Sequence, residues 1–233
     1  MNRRQALGSL AGTVAATTAA VRAAHAADAP PAFAPQAPGS HKPVPLPFNP
    51  AKLGGLSEKL LTSHHDNNYV GAVKNLNAVE LELARVNKDT PGFQVAGLRE
   101  RELTYANSAY LHERYFESLG GDGRPAGDFA KALSSQFGSA GRWEELVRAT
   151  AMSLGGGSGW VVIAHSPLTN DLRVIGSGGH APALAGGTPI LVLDMFEHAY
   201  AMDYGAAHAK YIDAFFANVN WAVLDKRWLA ARR

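Results

Sequence analysis

Cysteine is absent from these 233 residues, so the chain forms no disulfide, no thiolate metal site and no cysteine nucleophile. Metal chemistry therefore falls to Asp, Glu and the nine histidines. An excess of either charge is lacking too. The whole chain has 22 Lys and Arg against 20 Asp and Glu. Residues 1–26 carry Arg3, Arg4 and Arg22 and no acid, so the rest holds 19 basic and 20 acidic side chains, a net charge of about −1. That excludes a basic stripe for nucleic acid, whatever the whole-chain pI suggests. No apolar run is long enough for a permanent membrane span, and the N-terminal one is broken by Arg22. "GGGSG" at 155–159 lacks the lysine of a phosphate loop, and there is no nucleophile elbow. Internal repeats are missing as well.

The chain divides by composition. Residues 1–26 run from Arg3-Arg4 through a mild Ala/Gly/Thr run to Ala24-His25-Ala26, the pattern of a cleaved export signal. The paired arginines and modest hydrophobicity favour the twin-arginine route, which exports folded proteins, and predict a periplasmic product. Residues 27–47 are Pro/Ala-rich and read as an extended tether. Residues 48–121 read as an antiparallel helical hairpin. The first helix is capped by Ser57 and ends near Asn87. The second runs from about Leu98 to Leu119 and stops at Gly120-Gly121. Residues 122–233 read as an α/β unit: two short helices, the strands "GWVVIAHS", "DLRVIGS" and "TPILVLDM" with a hairpin turn at Leu168–Asp171, then helix again. The fold class expected is α+β, with a small three-stranded antiparallel sheet.

Histidines differ in their surroundings. On the first helix Leu60, His64, Asn68, Ala72 and Leu76 are spaced by four and are expected to share one face. His112 sits on the second helix between Ser108 and Phe116, each one turn away. Singly, either reads as a satisfied core histidine. Joined by Asp194 and His198, four apart at the end of the third strand, they make a three-His, one-carboxylate set suited to iron or manganese.

The order and wording of several segments complete the picture. "LPFNPAKLGGLSEKLLTSHH", "LHERYFESLGG", "GDFAKALSSQFGS", "GGGSGWVVI", "LDMFEHAYAMDY" and "YIDAFFANVNW" follow one another from about Pro45 to Trp228. On these segments the chain resembles the iron/manganese superoxide dismutases, most specifically in Asp-x-x-Glu-His-Ala-Tyr. The resemblance implies metal ligands His64, His112, Asp194 and His198 and one iron or manganese ion per subunit, with iron slightly favoured. Aligning Tyr69 with the family's active-site tyrosine would put Leu61 at the first ligand. Aligning "NLN" at Asn75–Asn77 needs no gap, places His64 there and leaves His65 as a surface or interface residue.

The ungapped alignment implies departures. The family's gateway histidine becomes Asn68 and its active-site tyrosine Ala72, both at the substrate channel. Its tryptophan in the ligand block becomes Phe196, the tyrosine reaching the partner's gateway histidine becomes Ala201, and an arginine near the funnel mouth becomes Ala207, beside His208. The group that hydrogen-bonds metal-bound solvent comes in the family from the second helix or from the loop after the second strand. Ser108 is too short, so His180 is the candidate, the alternative being an exposed loop histidine. Trp160 is expected to limit water, and Glu197 to cross a two-fold interface to His198 of a second copy. Tyr105 and Tyr69 are the phenols left to replace a proton relay.

The function implied is dismutation of superoxide to oxygen and hydrogen peroxide in the periplasm, by a homodimer that binds neither nucleic acid nor, after signal cleavage, membrane. The alternatives are a dismutase-fold metal-binding or structural dimer with little activity, and a different redox reaction admitted by a wider channel at Ala72.

Overall fold

The computed structural model describes residues 36–154, 158–181 and 185–232, and all that follows concerns the unit Pro38–Arg233. The expected signal, residues 1–26, and residues 27–35 of the tether lie outside the described residues.

Helix α1 (Glu58–Ser63) begins where Ser57 Oγ accepts the Leu60 N–H at 3.0 Å. It runs unbroken through a π-helical segment, His64–Tyr69, into α2 (Val70–Leu83). In the π segment the Val70 N–H reaches back five residues to the His65 carbonyl. Of the five residues expected on one face, Leu60, His64, Ala72 and Leu76 are buried. The wider turn lets His64 and Tyr69, five apart, both point inward, while Asn68 is only half-buried. Helix α3 (Gly92–Glu117) packs antiparallel on α2. It starts six residues before the expected Leu98, directly after Pro91. Its first turns are exposed, Phe93 included, so no apolar period marks them. The first helix ends at Leu83, short of Asn87. Gly120, at φ +86°, takes the left-handed conformation that closes the hairpin.

After α4 (Gly127–Phe137) and α5 (Ala140–Ser153) come β1 (Trp160–Ser166), β2 (Asp171–Ser177) and β3 (Thr188–Asp194), in antiparallel order β2-β1-β3. Central β1 is buried along its whole length, whereas edge strand β2 is partly exposed. The register sets Trp160 opposite Asp194 on one side and Ser177 on the other. Directly paired residues point to the same face, so the indole and the carboxylate are neighbours by construction. A 3-10 turn (Glu197–Ala199) leads to α6 (Ala201–Tyr204), α7 (His208–Ala217) and α8 (Trp221–Ala231). Phe129, Trp143, Trp221 and Trp228 pack where α4, α5 and α8 meet. Among the described residues no helix is long and apolar enough to cross a membrane.

Candidate metal centre

His64 comes from the π segment, His112 from the middle of α3, Asp194 from the end of β3 and His198 from the 3-10 turn. Their donor atoms all lie within 4.8 Å of one another. The Nε2 atoms of His64, His198 and His112 stand 3.1, 3.3 and 3.6 Å from a single oxygen, Asp194 Oδ2. His64, His112 and Asp194 are buried, and His198 is half-buried.

His112 and Asp194 are each aimed by a second hydrogen bond. His112 Nδ1 lies 2.7 Å from the Ser108 carbonyl. A carbonyl only accepts, so this nitrogen carries the proton and Nε2 offers a lone pair. Asp194 Oδ1 accepts the Phe196 N–H at 2.8 Å, which turns Oδ2 toward the histidines. The Tyr211 hydroxyl, bonded also to Tyr115, donates to the Asp194 main-chain carbonyl at 2.7 Å. Tyr211 and Tyr115 were not singled out from the sequence. Only their place in "YIDAFFANVNW" and "LHERYFESLGG" hinted at them.

Protonation follows from burial. Burial pushes the His112 imidazole down to about 3, helped by the nearby His64, and it also lowers His64. Burial alone would raise the Asp194 carboxyl, but hydrogen bonds from His198 and His64 outweigh it and hold the group below the ordinary carboxylate range. A bare, neutral Nε2 of His112 thus faces an ionised carboxylate oxygen in a dry interior. That nitrogen is buried and has no hydrogen-bond partner. Two acceptors in such a place are reconciled by a cation between them, and three imidazoles with one carboxylate suit iron or manganese. The donor set therefore fits the metal implied by its chemistry.

Aromatic rings wall the cluster. Trp160 meets His112 edge-on at 5.0 Å and Phe116 meets His64 at 5.0 Å, while Phe196 stacks on both His198 and His180. The Trp160 indole N–H donates to His180 Nδ1 at 3.0 Å. The His180 proton is then on Nε2, and burial lowers the pKa of the ring. Its loop is held by Asn107, whose amide donates to the Ala181 carbonyl at 3.3 Å. His180 thus stands beside the cluster, its ring 6.2 Å from that of His112. Residues 155–157, ahead of Trp160, lie outside the described residues.

A cavity of about 230 Å³ opens onto His112 and His198. Asn68, Ala72, Asn75, Tyr105 and His180 line it. Asn75 was missed in the sequence, where it served only to fix the alignment. Tyr69 does not line the cavity. Its hydroxyl donates to Glu113 at 2.8 Å and accepts the Val44 N–H at 2.9 Å, and its pKa is pushed up to about 12, mainly by burial. It is a structural pin, which corrects its candidacy as a relay. His65 bonds the Val44 carbonyl and Asp66. Glu197, Ala201 and Ala207 are exposed in the single chain, and His208 packs edge-on against Tyr200. A larger hollow, about 510 Å³, shares no lining residue with the cluster. There the Arg227 guanidinium is already held by Glu117 and by the Ile190 and Arg114 carbonyls.

Known proteins have similar sequences. Residues 125–227 match the family model described as iron/manganese superoxide dismutases, C-terminal domain. A superoxide dismutase [Fe] of Cupriavidus metallidurans is 50% identical over 190 residues, covering 81% of this chain and 96% of the relative. A superoxide dismutase [Mn] of Haloarcula marismortui is 35% identical, covering 76% and 88% respectively. A superoxide dismutase [Fe] of Aquifex pyrophilus is 31% identical, covering 84% and 95%.

Proposed function

The chain belongs to the iron/manganese superoxide dismutase family, and on that premise we propose that it dismutates superoxide at a centre held by His64, His112, Asp194 and His198. One observation carries the reading: a neutral, partnerless His112 nitrogen and two further imidazole nitrogens face one carboxylate oxygen, each fixed by a different element. A redox metal bound there would supply one-electron chemistry, by which two superoxide ions and two protons become oxygen and hydrogen peroxide. Iron is the first candidate, since a relative of half-identical sequence is named for it.

The chain's own groups divide the remaining tasks. Asp194 contributes the negative charge that offsets the cation, and Oδ1 stays with the Phe196 N–H so that only Oδ2 faces inward. The Ser108 carbonyl holds the His112 tautomer, and the Tyr211 hydroxyl holds the Asp194 backbone. Trp160, Phe116 and Phe196 exclude bulk water from three sides. His180, locked by the Trp160 indole, offers its Nε2–H to solvent in the cavity. The gate differs from the family pattern: Asn68 and Ala72 stand on the cavity wall, and neither carries an exchangeable acid proton.

The test is metal analysis of the natively produced protein combined with superoxide consumption per metal atom. Stoichiometric iron or manganese with catalytic consumption supports the reading. Full metal occupancy without consumption would favour a binding or structural protein on the same fold. Export to the periplasm rests on residues 1–26, and N-terminal sequencing of the product in each compartment tests it. An uncut chain confined to the cytoplasm contradicts export. Pairing of two copies through Glu197 and His198 rests on the resemblance, and sedimentation of wild type against Glu197→Ala tests it.

A further inference from the structure

Peroxide leaves the cavity only after two protons have reached it, so something along the wall must pass protons inward. The wall offers few candidates. Asn68 and Asn75 are amides and carry no acid proton. The Ser108 hydroxyl is buried, 3.4 Å from His112 Nδ1. The nitrogens of His112 and His198 that face Asp194 are committed to the cluster. His180 sits at the inner end, fixed to Trp160.

Tyr105 remains. It lies seven residues before His112 on α3, with Ser108 between, so Tyr105, Ser108 and His112 follow one face over two turns, roughly 10 Å. The phenol is half-buried and lines the cavity. Among the described residues its hydroxyl has no hydrogen-bond partner, and neither have the Asn68 and Asn75 amides beside it. Tyr69 and Tyr211, by contrast, spend their hydroxyls on protein groups. An uncommitted phenol on the wall of a cavity whose other polar groups are amides, a buried hydroxyl and imidazoles is placed to serve what enters it.

We propose, resting on the superoxide reading above, that Tyr105 is the proton-passing residue of this cavity, supplied from α3 where the first helix has only Asn68 and Ala72. The Tyr105 O–H bond breaks and a new O–H bond forms on water within the cavity. That water gives up a proton to the two-electron-reduced dioxygen, whose electron comes from the dismutation itself. The phenolate then recovers a proton from bulk water. No oxidant or reductant beyond the two superoxide ions is needed.

The test uses the iron-loaded protein, with rates per bound metal. In Tyr105→Phe, kcat falls about 10-fold while kcat/KM stays within about 2-fold, because proton delivery limits turnover rather than anion entry. Azide, a small anion read by absorbance titration, binds at least about 3-fold more weakly for want of the hydroxyl. Tyr105→His, which restores a proton carrier, recovers at least about half of the lost kcat. Tyr110→Phe, at an exposed phenol five residues further on the same helix, matches wild type in all three. A wild-type kcat in Tyr105→Phe overturns this proposal alone, whatever azide does. An equal loss in kcat and kcat/KM, or no recovery in Tyr105→His, overturns it too. Inactivity of the metal-loaded wild type overturns the superoxide reading, and this proposal with it.

Discussion

The cluster and the cavity in front of it share His112 and His198 but are built on opposite principles. Around the cluster two of the four donors are aimed by a second bond: His112 by the Ser108 carbonyl, Asp194 by Phe196 N–H and by Tyr211. In the cavity Asn68, Asn75 and Tyr105 make no side-chain hydrogen bond to any described residue. The inner region is buried and partly pinned, the outer one open and uncommitted. A metal site needs fixed geometry because affinity falls steeply when a donor turns. A substrate passage needs polar groups that stay free to trade partners with water and a small anion. Changes in the first region should therefore be read in metal content and stability, and changes in the second in turnover with metal content intact.

The largest effect separating the regions is expected from Asp194→Ala. It leaves three imidazoles without the charge that balances a cation. Metal affinity should drop by more than the roughly 10–100-fold typical of an outer-shell partner, with activity lost alongside. Mass-spectrometric metal analysis after dialysis checks it, and full metal retention would erase the distinction drawn here. Next in size is acid. In the metal-free protein His112, at about 3, binds fewer protons than a histidine of ordinary value 6.5 in the unfolded chain, and the depressed Asp194 acts in the same sense. Their contribution to stability is complete above about pH 6.5 and is lost as pH falls toward 3 and below. Urea midpoints measured across that range should fall with pH, and a flat profile would mean that these groups are not held as described.

Tyr211→Phe comes third. It removes one hydroxyl from the Asp194 carbonyl, so metal affinity should fall about 10-fold and stability by about 1 kcal/mol. Calorimetric melting and competitive chelation measure the two separately. Smallest is Asn68→Ala: melting within about 0.5 kcal/mol of wild type, metal content unchanged, and turnover moved by less than about 3-fold. Loss of metal in that variant would show that the cavity wall helps to build the cluster after all.

Much of the fold was legible because it rests on local signals. Ser57 marks the start of α1, Gly120 the end of α3, and short apolar runs mark the three strands. The start of α3 was not legible, because its first turns are exposed and only Pro91 announces them. The π segment was invisible for a different reason. Spacing by four looks the same whether or not one turn is widened, and the extra residue shows only in which side chains end up inside. Tyr69 suffered most from this. Beside Asn68 in sequence it looked like a channel phenol, yet the wide turn sends it to Glu113 and Val44.

By itself the sequence determined which side chains could hold a metal, since with no cysteine the choice fell on a few histidines and carboxylates, and the order of its segments determined the family. The direction in which each group points was decided only in three dimensions. The lone pair of His112, the inward oxygen of Asp194 and the tautomer of His180 are set by Ser108, Phe196 and Trp160. The free hydroxyl of Tyr105 likewise depends on what does not reach it. A hydrogen bond is fixed by distance and angle between atoms, and across elements far apart in the chain those quantities exist only once the core has closed.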